Sequence, residues 1–141
     1  MNFQKYLDLE ALTKLRRDLH QHPELGFEEI RTSRIVADYL LDLGLEVEKG
    51  IAETGVVATL KGEGRSVGLR ADMDALALEE TSSISWVSRL PGKMHACGHD
   101  GHTIMLLGAA TVLTKSPPNG TVHFIFQPAE EERGGAKRMV E

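Results

Sequence analysis

Residues 101–115 constrain the fold most. They carry Ile104, Met105, Leu106, Leu107, Ala109, Ala110, Val112 and Leu113, which spread apolar surface around most of a helix rather than along one stripe. A helix of that kind is stable only when other elements bury it, so the chain has to supply layers around it. Asp100, just ahead of the run, is expected to cap it. Two earlier segments read as one-sided helices. Leu9, Leu12, Leu15 and Leu19 recur at helical spacing up to His22-Pro23, where proline disfavours continuation. From Glu28 to Leu43 the stripe is Ile30, Ile35, Val36, Tyr39, Leu40 and Leu43, and Gly44 is a natural stop.

Between and after these helices lie short β-type runs at residues 45–48, 55–60, 67–71 and 122–126. Gly62-Glu63-Gly64 marks a loop or hairpin, and residues 115–120 a turn into the last run. Helices interspersed with buried strands predict an α/β sandwich around a central sheet. Residues 134–141 read as the first two turns of a further helix without a stop signal. A mean helix runs about 11–12 residues, so the expectation is that the chain is truncated there.

Composition narrows the functional classes. A formal charge of −5 over 141 residues, with no basic cluster interleaved with aromatics, argues against nucleic acid as partner. No apolar run approaches the ~18 residues that span a bilayer, and the first residues lack the apolar core of a signal peptide. The expectation is a cytoplasmic protein without membrane contact. Cys97 is the single cysteine, so it forms no intrachain disulfide and is left as a ligand or a nucleophile.

Chemistry concentrates in three stretches. His95-Ala96-Cys97-Gly98-His99-Asp100-Gly101-His102 packs a thiol, three imidazoles and a carboxylate ahead of the buried helix. Thiolate and imidazole suit zinc and other borderline metals, and the glycines let the loop wrap closely around a cation. Glu130-Glu131-Glu132 follow the last β-run, where ligands gather in open α/β sheets. Adjacent carboxylates there can divide metal binding from proton transfer, and Glu132 reads as a solvated part of the turn. Asp72 and Asp74 share one side of an extended chain, placed to orient a histidine or a ligand. His20 and His22 read as helix-capping or surface residues, and His123 as structural or exposed.

Four co-linear motifs then carry a resemblance: residues 17–29, with His20, His22, Pro23, Glu24, Glu28 and Glu29; Arg70-Ala71-Asp72-Met73-Asp74-Ala75-Leu76; Met94 to Thr103; and Phe126-Gln127-Pro128-Ala129-Glu130-Glu131. Together they resemble the hippurate hydrolase and auxin-conjugate amidohydrolase family, within the aminoacylase and carboxypeptidase G group of metallopeptidases. The resemblance implies a zinc-exopeptidase-like three-layer sandwich with a mixed central sheet. It also implies a centre of two divalent metals (Zn, Mn, Co or Ni) and a lid and dimerisation domain inserted beyond residue 141. Residues 1–141 would then be the N-terminal part of the catalytic domain, and a homodimer is expected only where the lid is present. By motif position Cys97, His99 and Glu131 are metal ligands and Glu130 the general base. Asp74, ahead of Asp72, orients a ligand or the base, and His102 receives no metal role. The implied reaction is hydrolysis of the amide bond of an N-acyl amino acid.

The chain departs from the family pattern at Ala77, where proline is usual, which removes a rigid turn after Asp74. Two further histidine ligands of the family have no counterpart in residues 1–141, so an inactive fragment is expected. Two rivals stand beside the hydrolase. One is a non-catalytic remnant that binds a single metal, or a partner at an exposed sheet edge. The other is a thiol hydrolase with Cys97 as nucleophile and His99 or His102 as base. Serine-hydrolase elbows, dinucleotide loops and P-loops are absent from the sequence.

Overall fold

The computed structural model describes residues 3–131 and 133–141. Helix α1 (Leu9–Gln21) begins at Asp8, whose carboxylate accepts the Ala11 N–H at 2.9 Å, the expected chemistry of an N-cap. Helix α2 spans Ile30–Asp42. Strands β1 (Glu46–Ile51) and β2 (Gly55–Leu60) form a hairpin. Strand β3 is Val67–Asp72, α3 is His99–Lys115, β4 is Val122–Gln127 and α4 is Gly135–Val140. β1 runs three residues past its apolar pattern, because hairpin pairing with β2 holds an exposed segment that side-chain periodicity does not mark.

The sheet order is β1-β2-β4-β3, antiparallel except for the parallel pair β3 and β4. β4 inserts between β2 and β3, so residues 62–64 form a loop and not a hairpin. A parallel pair needs a crossover, which includes α3. Alternation sorts the faces: Val56, Ala58, Val122, Phe124 and Phe126 are buried beneath α2 and α3. Val57, His123 and Ile125 lie on the other face, near Met139 and Val140 of α4. The result is a mixed sheet between helical layers, as expected. α3 is buried along Ile104, Leu106, Leu107 and Ala110 by the sheet, α1 and α2, but Met105 is exposed and Ala109, Val112 and Leu113 are half-buried along an open apolar groove, so the helix is covered on fewer sides than its sequence predicts.

The parallel arrangement matters for function. β3 and β4 run in register, with Asp72 opposite Gln127, so their carboxyl ends bring residues 72–74 and 128–131 to one edge. Met73 N–H bonds to the Gln127 carbonyl at 3.0 Å and continues that alignment beyond the strands.

Candidate metal centre

His99 opens α3 at this edge and is buried. Its Nδ1 donates to the Asp74 carbonyl at 2.9 Å and to Asp74 Oδ1 at 3.1 Å. In the neutral ring this leaves Nε2 as the lone-pair donor, facing Glu131 Oε1 at 3.5 Å and Asp72 Oδ1 at 3.6 Å. Burial disfavours a charge on His99, but the carboxylates of Asp74, Asp72 and Glu131 outweigh it and raise its proton affinity.

Asp74 is fully enclosed and ties the cluster together. Its Oδ2 accepts the Glu131 N–H at 3.0 Å. Burial alone would raise its pKa, yet the bonds from His99 and from the backbone N–H groups of Glu131 and Glu130 win and lower it. The proline missing at 77 is offset by backbone bonds: Ala75 N–H to the Glu24 carbonyl at 2.8 Å, and a reciprocal Leu76–Met94 pair at 3.0 Å.

Cys97 is exposed on the loop before α3. Its thiol donates to the Glu131 carboxylate, and that bond, followed by burial and the neighbouring carboxylates, pushes its pKa up to about 11. The Cys97 sulfur, a His99 ring nitrogen and a Glu131 oxygen all lie within 4.8 Å of one another. Lone pairs that converge in this way repel unless a proton or a cation sits among them. Sulfur, imidazole and carboxylate form a donor set that zinc or another borderline metal accepts, so the residues present fit a metal. The raised thiol pKa is the opposite of what a nucleophilic cysteine needs.

Asp72, His99 and His102 make an overlapping group within the same 4.8 Å limit. His102 Nδ1 donates to Asp72 Oδ1 at 2.7 Å, and Thr103 Oγ1 donates to the Asp72 carbonyl at 2.9 Å. Both groups use His99, so the structure brings Asp72 and Asp74 to the same histidine from different sides. Glu130 is exposed next to Glu131, while Glu132 lies outside the described residues. A cleft of about 90 Å³ opens beside the cluster, lined in part by Leu25, Gly26, Asp74, Leu76, Glu131 and Arg133. A larger apolar groove of about 720 Å³ between α1 and α3 touches none of these ligand candidates.

Several assignments change in three dimensions. Asp100 does not cap α3: Gly98, at φ 83°, takes the N-cap position, and the Asp100 carboxylate is engaged by His20 and Arg16 instead. His20 is buried rather than capping or exposed, whereas His22 does terminate α1 and bonds the Asp18 carbonyl at 2.8 Å. His123 accepts the structural role, paired with Thr59 at 3.0 Å. Glu29 carried no chemical signal in the sequence beyond its place in a motif. It is fully buried, its Oε1 accepts the Ala129 N–H at 2.8 Å and its Oε2 the Thr54 hydroxyl at 2.6 Å. It thereby anchors the turn that presents Glu130 and Glu131, and burial raises its pKa despite those bonds. Ala129, at φ 50°, adopts the left-handed backbone this anchored turn requires.

His95 sets an acid limit on the metal-free fold. It is 3% exposed, and neither ring nitrogen has a hydrogen-bond partner among the described residues. Burial, partly offset by Asp100, pushes its pKa down to about 4 from 6.5. Because the unfolded chain binds the proton first, His95 leaves stability intact above pH 6.5 and removes it as pH falls towards 4, by about 3 kcal/mol. Urea unfolding at pH 7 and pH 4.5, with chelator present, should show this loss, and His95→Phe should recover a large part of it. An equal acid loss in the variant would assign it to other groups.

The comparisons agree with this geometry. Residues 68–141 match peptidase family M20/M25/M40. The hippurate hydrolase of Campylobacter jejuni is 49% identical over 138 residues, covering 96% of this chain and 36% of that protein. An IAA-amino acid hydrolase of Arabidopsis thaliana is 51% identical over 130 residues, covering 90% and 30% respectively. The crystal structure of the Bacillus subtilis YXEP protein, a dinuclear metal binding peptidase from the M20 family, superposes with a TM-score of 0.88 at 41% identity. That match covers 93% of this chain and 38% of the other. The chain thus spans about a third of the length of these relatives. With the family match over residues 68–141 and similar proteins along nearly the whole chain, the chain belongs to peptidase family M20/M25/M40.

Proposed function

We propose that this chain is the N-terminal part of the catalytic domain of a metal-dependent amidohydrolase, whose substrates are N-acyl amino acids such as hippurate or N-acetyl amino acids. The convergence of Cys97, His99 Nε2 and Glu131, with Glu130 as the adjoining carboxylate, carries this reading. Cys97, His99 and Glu131 are the proposed metal ligands. Asp74 orients His99 and holds the Glu131 backbone. Divalent metals bound there supply Lewis acidity towards the scissile carbonyl and acidify water at the site.

Glu130 acts as the base. It accepts a proton from the water whose oxygen attacks the amide carbon, and passes that proton to the nitrogen as the C–N bond breaks, leaving a carboxylic acid and an amine. Two metals want about four ligands each, bridging groups included, so three donors need others from further polypeptide. Residues 1–141 alone are proposed to bind metal without efficient turnover. Zn, Mn, Co and Ni all suit this donor set. The names of the relatives support a small amide substrate. Among the described residues no helix is long and apolar enough to cross a membrane, and we assign the protein to the cytoplasm, with dimer formation left to a lid domain.

Chelation decides between metal and thiol chemistry. In a chimera that places this chain at the corresponding residues of the Campylobacter enzyme, a strong chelator should abolish hydrolysis of hippurate, and added zinc or cobalt should restore it. Activity that survives chelation would sink the metal reading and favour Cys97 as nucleophile.

A further inference from the structure

A buried charge network lies behind the metal-centre loop, outside the proposed ligands and base. His20, on α1, points each ring nitrogen at a carboxylate: Nδ1 at Asp100 Oδ2, 2.8 Å away, and Nε2 at Glu80 Oε1, 3.2 Å away. Both ring nitrogens of this one side chain are thus committed to carboxylate oxygens from two different segments. Asp100 and Glu80 are enclosed, their side chains 0% and 2% exposed. Asp100 also receives Arg16 Nε at 2.8 Å and the Gly101 N–H at 2.9 Å. Glu80 receives the Ser82 hydroxyl at 2.6 Å and the Ser88 N–H at 2.7 Å. Two buried carboxylates thus converge on His20, and Arg16 reaches one of them from the half-exposed side. Among the described residues, His95 is the titratable ring placed against His20, its centroid 6.3 Å away.

The network spans the pieces that have to be held still. Asp100 directly follows His99 in the first turn of α3, and Gly98 before it has a left-handed backbone with no side-chain cap. The loop from 76 to 98 carries Cys97 next to its end. It is fastened to α1 by the Glu80–His20 contact, by the Arg89 N–H bonded to the Gln21 carbonyl at 2.9 Å, and by Arg17 stacked 4.0 Å over the Trp86 ring. Buried ion pairs seldom add stability over apolar packing of the same shape. What this one adds is geometry, since hydrogen bonds from outside the ligand set fix how ligands are presented.

Resting on the metal-centre reading above, we propose that His20 is a positioning residue: it clamps Asp100 and Glu80 together, and through them fixes the loop that presents Cys97 and His99 to the metal. His20 touches neither metal nor substrate.

Cobalt(II) titration of the 141-residue chain tests this, read by binding affinity and by the thiolate-to-cobalt charge-transfer absorption. His20→Gln should weaken cobalt binding about 10–100-fold and alter that absorption. Glu80→Gln, which keeps an acceptor and removes the charge, should shift both in the same direction. Leu40→Ala, a fully buried site on α2, serves as a control matched for lost stability and should leave both unchanged at a temperature where all chains are folded. Parent-like affinity and spectrum in His20→Gln and Glu80→Gln would overturn the clamp, as would an equal loss in Leu40→Ala. Should His20→Gln fail to fold, Glu80→Gln alone decides. A parent chain that takes up no cobalt would overturn the metal centre itself and the clamp with it, whereas a parent that binds beside unaffected variants overturns only the clamp.

Discussion

Glutamine in place of Glu130, tested in the chimera with the Campylobacter enzyme, should lower turnover by about 10²–10⁴-fold, the usual contribution of a positioned general base. The substitution preserves shape and removes only proton affinity. Metal content should stay at the parent level, because Glu130 lies outside the convergent set of Cys97, His99 and Glu131. Its backbone N–H, which helps to stabilise the Asp74 carboxylate, is also unchanged by the substitution. The decisive comparison is therefore turnover against metal stoichiometry in one preparation. Parent-rate hydrolysis by the variant would remove Glu130 from the base role. Loss of metal together with activity would make it a ligand instead.

Phe124→Ala should destabilise the chain by about 3–5 kcal/mol, a large share of the roughly 5–15 kcal/mol that holds a domain together. Phe124 is fully buried on β4, paired across the sheet to Ala58 of β2 and Leu69 of β3. Every other strand is connected through β4, directly or by way of β2. A cavity there loosens the parallel pair whose carboxyl ends carry both acidic clusters, so metal affinity should fall with the urea midpoint. Denaturant unfolding measures the first and cobalt titration the second. A loss under 1 kcal/mol would mean that neighbouring side chains collapse into the space, contrary to the dense packing around the ring.

Much of the fold was legible because burial writes periodicity into sequence. The inner parts of the α1 and α2 stripes, one side of α3 and the alternation of β2 and β4 mark surfaces that face the core, while Leu9, Ile30 and Met105 of the same patterns are exposed. Pairing leaves no such mark. The insertion of β4 between β2 and β3 is a choice of neighbours, decided by which edges meet once α3 has folded back on the sheet. The same limit hid the residues behind the site. Glu29 reaches Ala129 across 100 positions and His20 reaches Asp100 across 80. Neither distance produces a local pattern, so His20 reads as a helix-capping or surface residue and Glu29 carries no role of its own in the sequence.

The sequence by itself determined the chemistry on offer: a Cys-x-His loop before a buried helix, paired glutamates after a strand, and aspartates two apart. Only the tertiary structure decided how those groups are used. Residue types fix which atoms can donate or bind, but a protonation state depends on what surrounds the atom. Asp74 accepts the His99 Nδ1–H bond and turns Nε2 towards Glu131, Glu131 accepts the bond from the Cys97 thiol, and Asp100 is engaged by His20 and Arg16. Each of these outcomes rests on contacts between segments far apart in the chain, which exist only once the strands align and the helices close over them.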